Sequence, residues 1–191
     1  FSFDSQSALV TFHPATLDDE PTEHQLEELL AALEMFPDLR VLFTQPNVDE
    51  GGRALLRAIQ KFTDARPGRT MLVPSLGRVR YLSALRLVDA VVGNSSSGII
   101  EAPSFGIAPI NIGDRQQGRI RAASVIDCPA RREAIADAFT KALDPVFRAT
   151  LTGITNPYGD GHAASRICRV LRDFPLENLL RKRFHDIDKR N

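Results

Sequence analysis

Short apolar runs without polar alternation recur along the chain, and each is followed by a stretch with apolar residues at three- and four-residue spacing. The first run, 8–12 (ALVTF), is ended by Pro14. A helix is predicted from Thr22, where Thr22-Glu23-His24-Gln25 has the Thr-x-x-Gln form of a capping box and Leu26, Leu29, Leu30 and Leu33 share one face. The pattern continues as strand 40–44 (RVLFT), helix 51–62 with Leu55, Leu56 and Ile59 inward, strand 70–73, helix 79–87 and strand 90–93. A short helix at 97–105, strand 108–112 (APINI), a further strand at 124–127 and a helix over 132–143 complete it. Strands without alternation, each followed by a helix, point to a parallel sheet covered on both faces. The expected fold is therefore an open, doubly wound α/β domain. Such sheets bind ligands at the carboxyl ends of their strands. That rule selects the loops at His13-Pro14, 45–52, 74–77, 93–98 and 113–118.

From Asn156 the pattern changes. Asn156-Pro157-Tyr158-Gly159-Asp160-Gly161 is dense in turn formers. A helix over 163–172 follows, and Pro175 precedes a last basic helix over 176–184. We expect an α/β domain over 1–155 and a turn with helices over 156–191. This tail follows a finished sheet, so it packs either on something outside the domain or back on its own core.

Composition narrows the function classes. Residues of the hydrophobic set make up 43% and charged residues 25%, the balance of an ordinary soluble globular domain. Lys+Arg and Asp+Glu both number 24, so the basic excess of a nucleic-acid binder is missing. The apolar runs are strand-sized, too short to span a bilayer, and no basic-then-apolar signal pattern opens the chain. Cys128 and Cys168 form no CxxC or His/Cys cluster, so neither a disulfide scaffold nor a structural metal site is expected, and a reducing cytoplasm is the simplest location. The chain starts at Phe1 with a strand-like run close behind, as a piece of a longer protein would.

Gly93-Asn94-Ser95-Ser96-Ser97-Gly98 is the most informative loop. It leaves a strand and opens a helix, where free N–H groups, small residues and hydroxyls suit a phosphate. It has neither the Lys of a P-loop nor a GxGxxG pattern, and a plain Ser-capped helix fits it equally well. Glu101, one turn beyond Ser97, is placed to accept from ribose hydroxyls, or is simply a helix-start Glu. Arg115 and Arg119 in 113–119 (GDRQQGR) offer positive charge to a diphosphate, though loop arginines are more often solvated. His13 ends the first strand, where an imidazole can act as acid, base or phosphate donor, although packing alone is commoner there. The run Asp18-Asp19-Glu20 reads as a solvated loop, and no pair of carboxylates falls together in the crevice.

These residues, taken in order, resemble a known family. Thr11-Phe12-His13-Pro14, Ser75-Leu76-Gly77 with Tyr81-Leu82-Ser83, the block from Gly93 to Gly106, Asn111 to Arg119, and Asn156 to Gly161 are similar to the C-terminal half of hydrolysing UDP-N-acetylglucosamine 2-epimerases of the sialic-acid pathway type. The resemblance runs from His13 to about Leu171. It implies a Rossmann-like C-terminal half of a two-domain glycosyltransferase-B fold that holds UDP across a cleft. By position, Ser95 and Ser96, with Ser97 and the backbone to Gly98, correspond to diphosphate-binding residues, Glu101 to the ribose carboxylate and His13 to the catalytic-site histidine. Asn47, Arg53 and Arg115 correspond to further UDP contacts, and Leu76 and Tyr81 to the segment bordering uracil.

The implied reaction removes the C2 proton, eliminates UDP to give a 2-acetamidoglucal, and adds water to release N-acetylmannosamine. It uses no cofactor and no metal. An imidazolium at His13 would stabilise the departing diphosphate. The proton-moving carboxylates belong to an N-terminal domain that these 191 residues do not include, so the chain alone is expected to bind without turnover. The implied partners are UDP, a UDP-N-acetylhexosamine, that domain and a further copy in a homo-oligomer, with no nucleic acid and no membrane. A non-hydrolysing epimerase, an epimerase for a diacetamido-trideoxy UDP-sugar, a stand-alone nucleotide-sensing module and a glycosyltransferase are the alternatives.

Overall fold

Five of the apolar runs become the strands of one parallel sheet within a residue of where the pattern puts them. The computed structural model describes residues 1–15, 20–177 and 180. The strands are β1 (Ser7–Thr11), β2 (Arg40–Thr44), β3 (Thr70–Val73), β4 (Ala90–Gly93), β5 (Ala108–Ile112) and β6 (Ile126–Cys128). Between and after them lie α1 (Thr22–Glu34), α2 (Gly52–Asp64), α3 (Gly77–Leu85), α4 (Ser96–Ile100), α5 (Arg132–Leu143), α6 (Pro145–Ala149) and α7 (Ala163–Asp173). A 3₁₀ turn, Ala102–Phe105, continues from α4. Every strand pair is parallel, in the order β3-β2-β1-β4-β5-β6. The order reverses between β1 and β4, so the crevice of a doubly wound sheet opens at their carboxyl ends.

Alternation along the strands divides the core in two. Ala8, Val10 and Phe12 face α1, α2 and α5, joining Leu26, Leu29, Leu33, Leu55, Ile59 and Phe139 in the larger cluster. Leu9, Leu42 and Val91 point the other way, onto Leu85, Val88 and Ala102 from α3 and the segments around it. Of the predicted helix faces, Leu30 and Leu56 are only partly buried, while Leu26, Leu29, Leu33, Leu55 and Ile59 are buried.

Several local expectations are corrected. The Thr22 capping box does not form, because Pro21 occupies the cap position and Thr22 lies inside the helix. The Thr22 hydroxyl instead bridges the Ala15 main chain, at 3.1 Å to both its N–H and its carbonyl. The helix predicted over 97–105 breaks at Glu101 into α4 and the 3₁₀ turn, since Pro103 has no N–H to give and disfavours helical geometry in the residue before it. The last strand starts two residues later and ends one residue later than predicted, and α6 was not foreseen. Asp18 and Asp19, and most of the helix expected over 176–184, lie outside the described residues.

The chain forms two units, Phe1–Tyr158 and Gly159–Asn191. In the first, Asn156 ties the end of the chain to the α4 region by donating to Ile100 O at 2.8 Å and Ser104 Oγ at 2.7 Å. In the second, Asp160 accepts from the His162 N–H at 3.0 Å and pairs with Arg166 at the start of α7. Ile167, Val170 and Leu171 of α7 are more than half exposed.

Candidate functional site

The sheet ends at the crevice in polar residues. Thr11 and Thr44 close β1 and β2 with a hydroxyl–hydroxyl contact of 2.8 Å. Gly93 ends β4 directly opposite Thr11. Its φ is 132°, and a Cβ there would run into the Thr11 carbonyl. Only glycine lets β4 turn sharply enough to carry Asn94 and the three serines over the strand end.

Two adjoining cavities line this edge. One, of about 630 Å³, is walled by Thr11, His13, Asn47, Leu76, Tyr81, Ser95, Ser97 and Glu101 among others. The other, of about 1230 Å³, includes Asp49, Asp114, Arg115, Arg121 and Asp127. Of the residues expected to form the site, His13, Asn47, Leu76, Tyr81, Ser95, Ser97 and Glu101 are thus brought to one cleft, with Arg115 on the wall of its neighbour. Ser96 and Arg53 line neither cavity, and Arg53 stands exposed in the first turn of α2. Gly98 is buried, and a Cβ there would touch Pro109 and Val91, so it packs α4 on the sheet. Arg119 is exposed; its carbonyl accepts from Arg121 at 2.8 Å and its N–H donates to the Gln116 carbonyl at 3.4 Å. Five carboxylates that the sequence did not group, Glu20, Asp49, Glu50, Asp114 and Asp127, border the larger cavity. Asp49 and Glu50 are neighbours in one loop, while Glu20, Asp114 and Asp127 come from distant parts of the chain, which linear spacing does not relate.

The serine loop is held by side chains rather than by a long helix. Ser95 caps α4 by accepting from the Ser97 N–H at 3.4 Å, and Ser97 Oγ donates to Ser95 Oγ at 3.1 Å. Tyr81 Oη reaches Ser97 Oγ at 2.6 Å. Burial, with the nearby Glu101 carboxylate adding to it, pushes the Tyr81 phenol up to about 12, so it stays a neutral donor. α4 has only five residues, so the local hydroxyls and N–H groups, more than a summed helix dipole, make this loop receptive to an anion.

His13 is held from two sides. Its ring Nδ1 accepts from the Asn47 N–H at 3.1 Å, and its main chain pairs twice with Asn94. Its pKa is lowered from the ordinary 6.5, first by burial and then by the Arg115 charge, with Asp49 opposing. The resting ring is therefore neutral, with Nδ1 occupied as an acceptor and Nε2–H free to donate. In a partly desolvated site beside an arginine, the positive ring is the disfavoured form. Arg115 donates to Asn94 O at 3.1 Å. Cys128 borders the larger cavity, but burial and Asp127 push its thiol up to about 12, which leaves it protonated and unreactive. Among the described residues, no group of three or more His, Cys, Asp or Glu side chains is arranged to hold a metal ion.

Sequence reasoning selected the loops that carry Asn94 and Asp49 without giving either residue a role, and it missed Thr11 and Thr44 as parts of this edge. The polar ends of otherwise apolar strands are the signal that would have found the two threonines.

A doubly wound parallel sheet with a serine loop, a histidine and an arginine gathered at its switch point defines the class of open α/β domain whose ligand crevice lies at the carboxyl ends of its strands. The chain matches the UDP-N-acetylglucosamine 2-epimerase family over residues 2–172, and it belongs to that family. It is 36% identical over 181 residues to polysialic acid biosynthesis protein P7 of Escherichia coli, covering 94% of this chain and 46% of that protein. It is 34% identical over 185 residues to the GDP/UDP-N,N'-diacetylbacillosamine 2-epimerase (hydrolyzing) of Campylobacter jejuni, covering 96% of this chain and 48% of that protein. The chain thus spans about half the length of these curated relatives. Among solved structures, the S. aureus MnaA–UDP co-structure superposes with a TM-score of 0.69 at 19% identity, covering 88% of this chain and 45% of the other. That likeness concerns the fold.

Proposed function

We propose that this chain is the UDP-binding, C-terminal half of a hydrolysing UDP-N-acetylglucosamine 2-epimerase, converting UDP-N-acetylglucosamine and water to N-acetylmannosamine and UDP. The observation that carries the reading is the meeting of His13, Ser95, Ser97 and Glu101 in one cleft at the β1–β4 switch point, with Arg115 alongside. In this reading the Ser95–Ser97 hydroxyls and N–H groups and Arg115 hold the diphosphate. Glu101 accepts from the ribose hydroxyls, and the Leu76–Tyr81 wall borders the uracil. Asn47 and Arg53 supply further contacts.

His13 enters as a neutral donor, offering Nε2–H to the diphosphate oxygen that gains charge as the C1–O bond breaks. The electron pair of the C2–H bond forms the C1–C2 double bond, UDP leaves, and water adds across the glucal. The proton-moving carboxylates of that route lie on an N-terminal domain outside these 191 residues, and the route draws on neither a cofactor nor a metal. Full-length protein would act as a homo-oligomer in the cytoplasm, within sialic-acid or related sugar synthesis.

A second reading concerns only the sugar. The 34% identical Campylobacter jejuni relative is described as a diacetylbacillosamine 2-epimerase, so a diacetamido-trideoxy UDP-sugar is the competing substrate.

Titration calorimetry tests the proposal. The chain should bind UDP, bind uridine far more weakly, and release no N-acetylmannosamine from UDP-N-acetylglucosamine. No heat with UDP would overturn the nucleotide site, and steady N-acetylmannosamine release by the chain alone would overturn the division of labour. Supplying both sugar nucleotides to the two-domain protein decides the substrate.

A further inference from the structure

The residue between Gly93 and the serines has no part in the ligand contacts proposed above, yet it is the most heavily bonded group of the crevice. Asn94 is 1% exposed. Its Oδ1 accepts from the His13 N–H at 2.8 Å, and its Nδ2 donates to the His13 carbonyl at 2.8 Å. The main-chain pairing of β1 with β4 ends at Thr11 and Gly93, so the carboxamide extends the ladder past the strands, one side chain standing in for a strand. The Asn94 carbonyl in turn accepts from Arg115 Nη1 at 3.1 Å and Gln116 Nε2 at 2.8 Å. One residue therefore joins the exit of β1 to the exit of β5 through four hydrogen bonds.

The chemistry requires an amide. Only Asn and Gln offer a donor and an acceptor side by side in the arrangement of a peptide group. Aspartate would set a carboxylate against the His13 carbonyl, and alanine or serine would leave His13 main-chain groups without partners in a largely buried place. The His13 ring is fixed separately, by the Asn47 N–H on Nδ1. Those two restraints act together, because the ring meets Asn47 only while the His13 backbone stays in place.

We propose that Asn94 is a positioning residue that sets His13 and Arg115 at a fixed separation and holds the His13 ring in its Nε2–H tautomer, so that both groups address one diphosphate. The second half of this statement rests on the UDP-binding reading, and the first does not. Arg115 and Asp49 are the charged groups acting on the ring, and neutral substitutions leave both in place.

The experiment uses the 191-residue chain and Asn94→Ala and Asn94→Ser, which add no charge. Nitrogen-15 NMR of the His13 imidazole, assigned by its disappearance in His13→Gln, should show an unprotonated Nδ1 in the parent chain. In the variants the tautomer should become mixed, and the titration midpoint should move up toward the ordinary value of about 6.5. Affinity for UDP should fall by at least about tenfold, the loss expected when charge-assisted contacts lose alignment, while affinity for uridine should change by less than about threefold. Folded variants that keep the parent tautomer and the parent ratio of UDP to uridine affinity would overturn the proposal, even with a lowered melting temperature, since that is the signature of a merely structural asparagine. Should both variants fail to fold, the parent chain decides: a His13 ring with its proton on Nδ1 sinks the proposal. A parent chain that binds no UDP defeats the functional reading instead, and the NMR arm still tests the role of Asn94.

Discussion

At the scale of single residues, protonation states decide how the cleft can act. Tyr81 Oη stands 2.6 Å from Ser97 Oγ, and its phenol stays protonated because burial pushes it up to about 12. Tyr81→Phe keeps the ring packing and removes one neutral hydrogen bond, worth about 0.5–1.5 kcal/mol. Calorimetry should therefore show UDP binding weakened by roughly two- to tenfold, with little change in the unfolding midpoint. An unchanged affinity would mean that the serines orient themselves. His13 makes a pH prediction. Its folded pKa lies below its unfolded value of about 6.5, so the unfolded chain takes up protons first as pH falls. The contribution of His13 is fully present above pH 6.5 and is lost as pH falls through the folded pKa. Thermal melts between pH 7.5 and 5 should show a steeper loss for the parent chain than for His13→Gln, which cannot titrate. Equal slopes would show that His13 titrates alike in both states.

At the scale of elements, the turn from β4 into α4 controls the crevice. Gly93 has a φ of 132° and no room for a methyl group beside the Thr11 carbonyl. Gly93→Ala forces either a left-handed strain of about 1–3 kcal/mol or a separation of β1 from β4. Urea unfolding should register a loss of at least that size, and UDP affinity should fall as well, because Asn94 and Ser95 are carried on the same turn. An alanine variant with parent stability would mean the turn relaxes freely. The break of α4 at Glu101 belongs to this scale too. Pro103 ends the α geometry after five residues, which leaves Glu101 at the bend and on the wall of the cleft.

At the scale of the whole molecule, the sheet and its helices form the platform on which these loops meet. Phe139 is fully buried in α5 and packs its ring 5.3 Å from Phe36, just beyond α1. Phe139→Ala should destabilise the chain by about 3–5 kcal/mol. It lies in the core cluster and lines neither crevice cavity, so the stabilisation by ligand should be intact. UDP at about 100 times its Kd should add about 2.7 kcal/mol to parent and variant alike. Denaturant curves with and without UDP check both numbers, and loss of the ligand effect in Phe139→Ala would reveal coupling between core and site.

Four strands were legible to the residue because short, largely apolar runs bounded by Gly, Pro or charge read as parallel strands: AVVG and APINI are buried throughout, RVLFT nearly so, and TMLV, at the sheet edge, is only partly covered. The helices that cover the sheet were legible from their apolar faces, and the doubly wound class followed from the alternation. The loops worth watching followed from the rule that such sheets bind at their carboxyl ends, and with them His13, the serines, Glu101 and Arg115. Local spacing did not reveal the strand order, which puts β4 beside β1 although Gly93 lies 82 positions after its partner Thr11. It placed the start of α1 correctly but misjudged its cap, which Pro21 took in place of Thr22, while the Thr22 hydroxyl bonded Ala15 instead. Nor did it show the direction in which the His13 pKa moves, because that is set by burial, by Arg115 and, opposing them, by Asp49, which only the fold brings to the ring. The sequence by itself determined which segments are buried and which loops carry polar chemistry, since both depend on near neighbours in the chain. Tertiary structure alone decided which of those groups meet, and in what protonation state, since burial and hydrogen bonding across the crevice depend on residues brought together from distant parts of the chain.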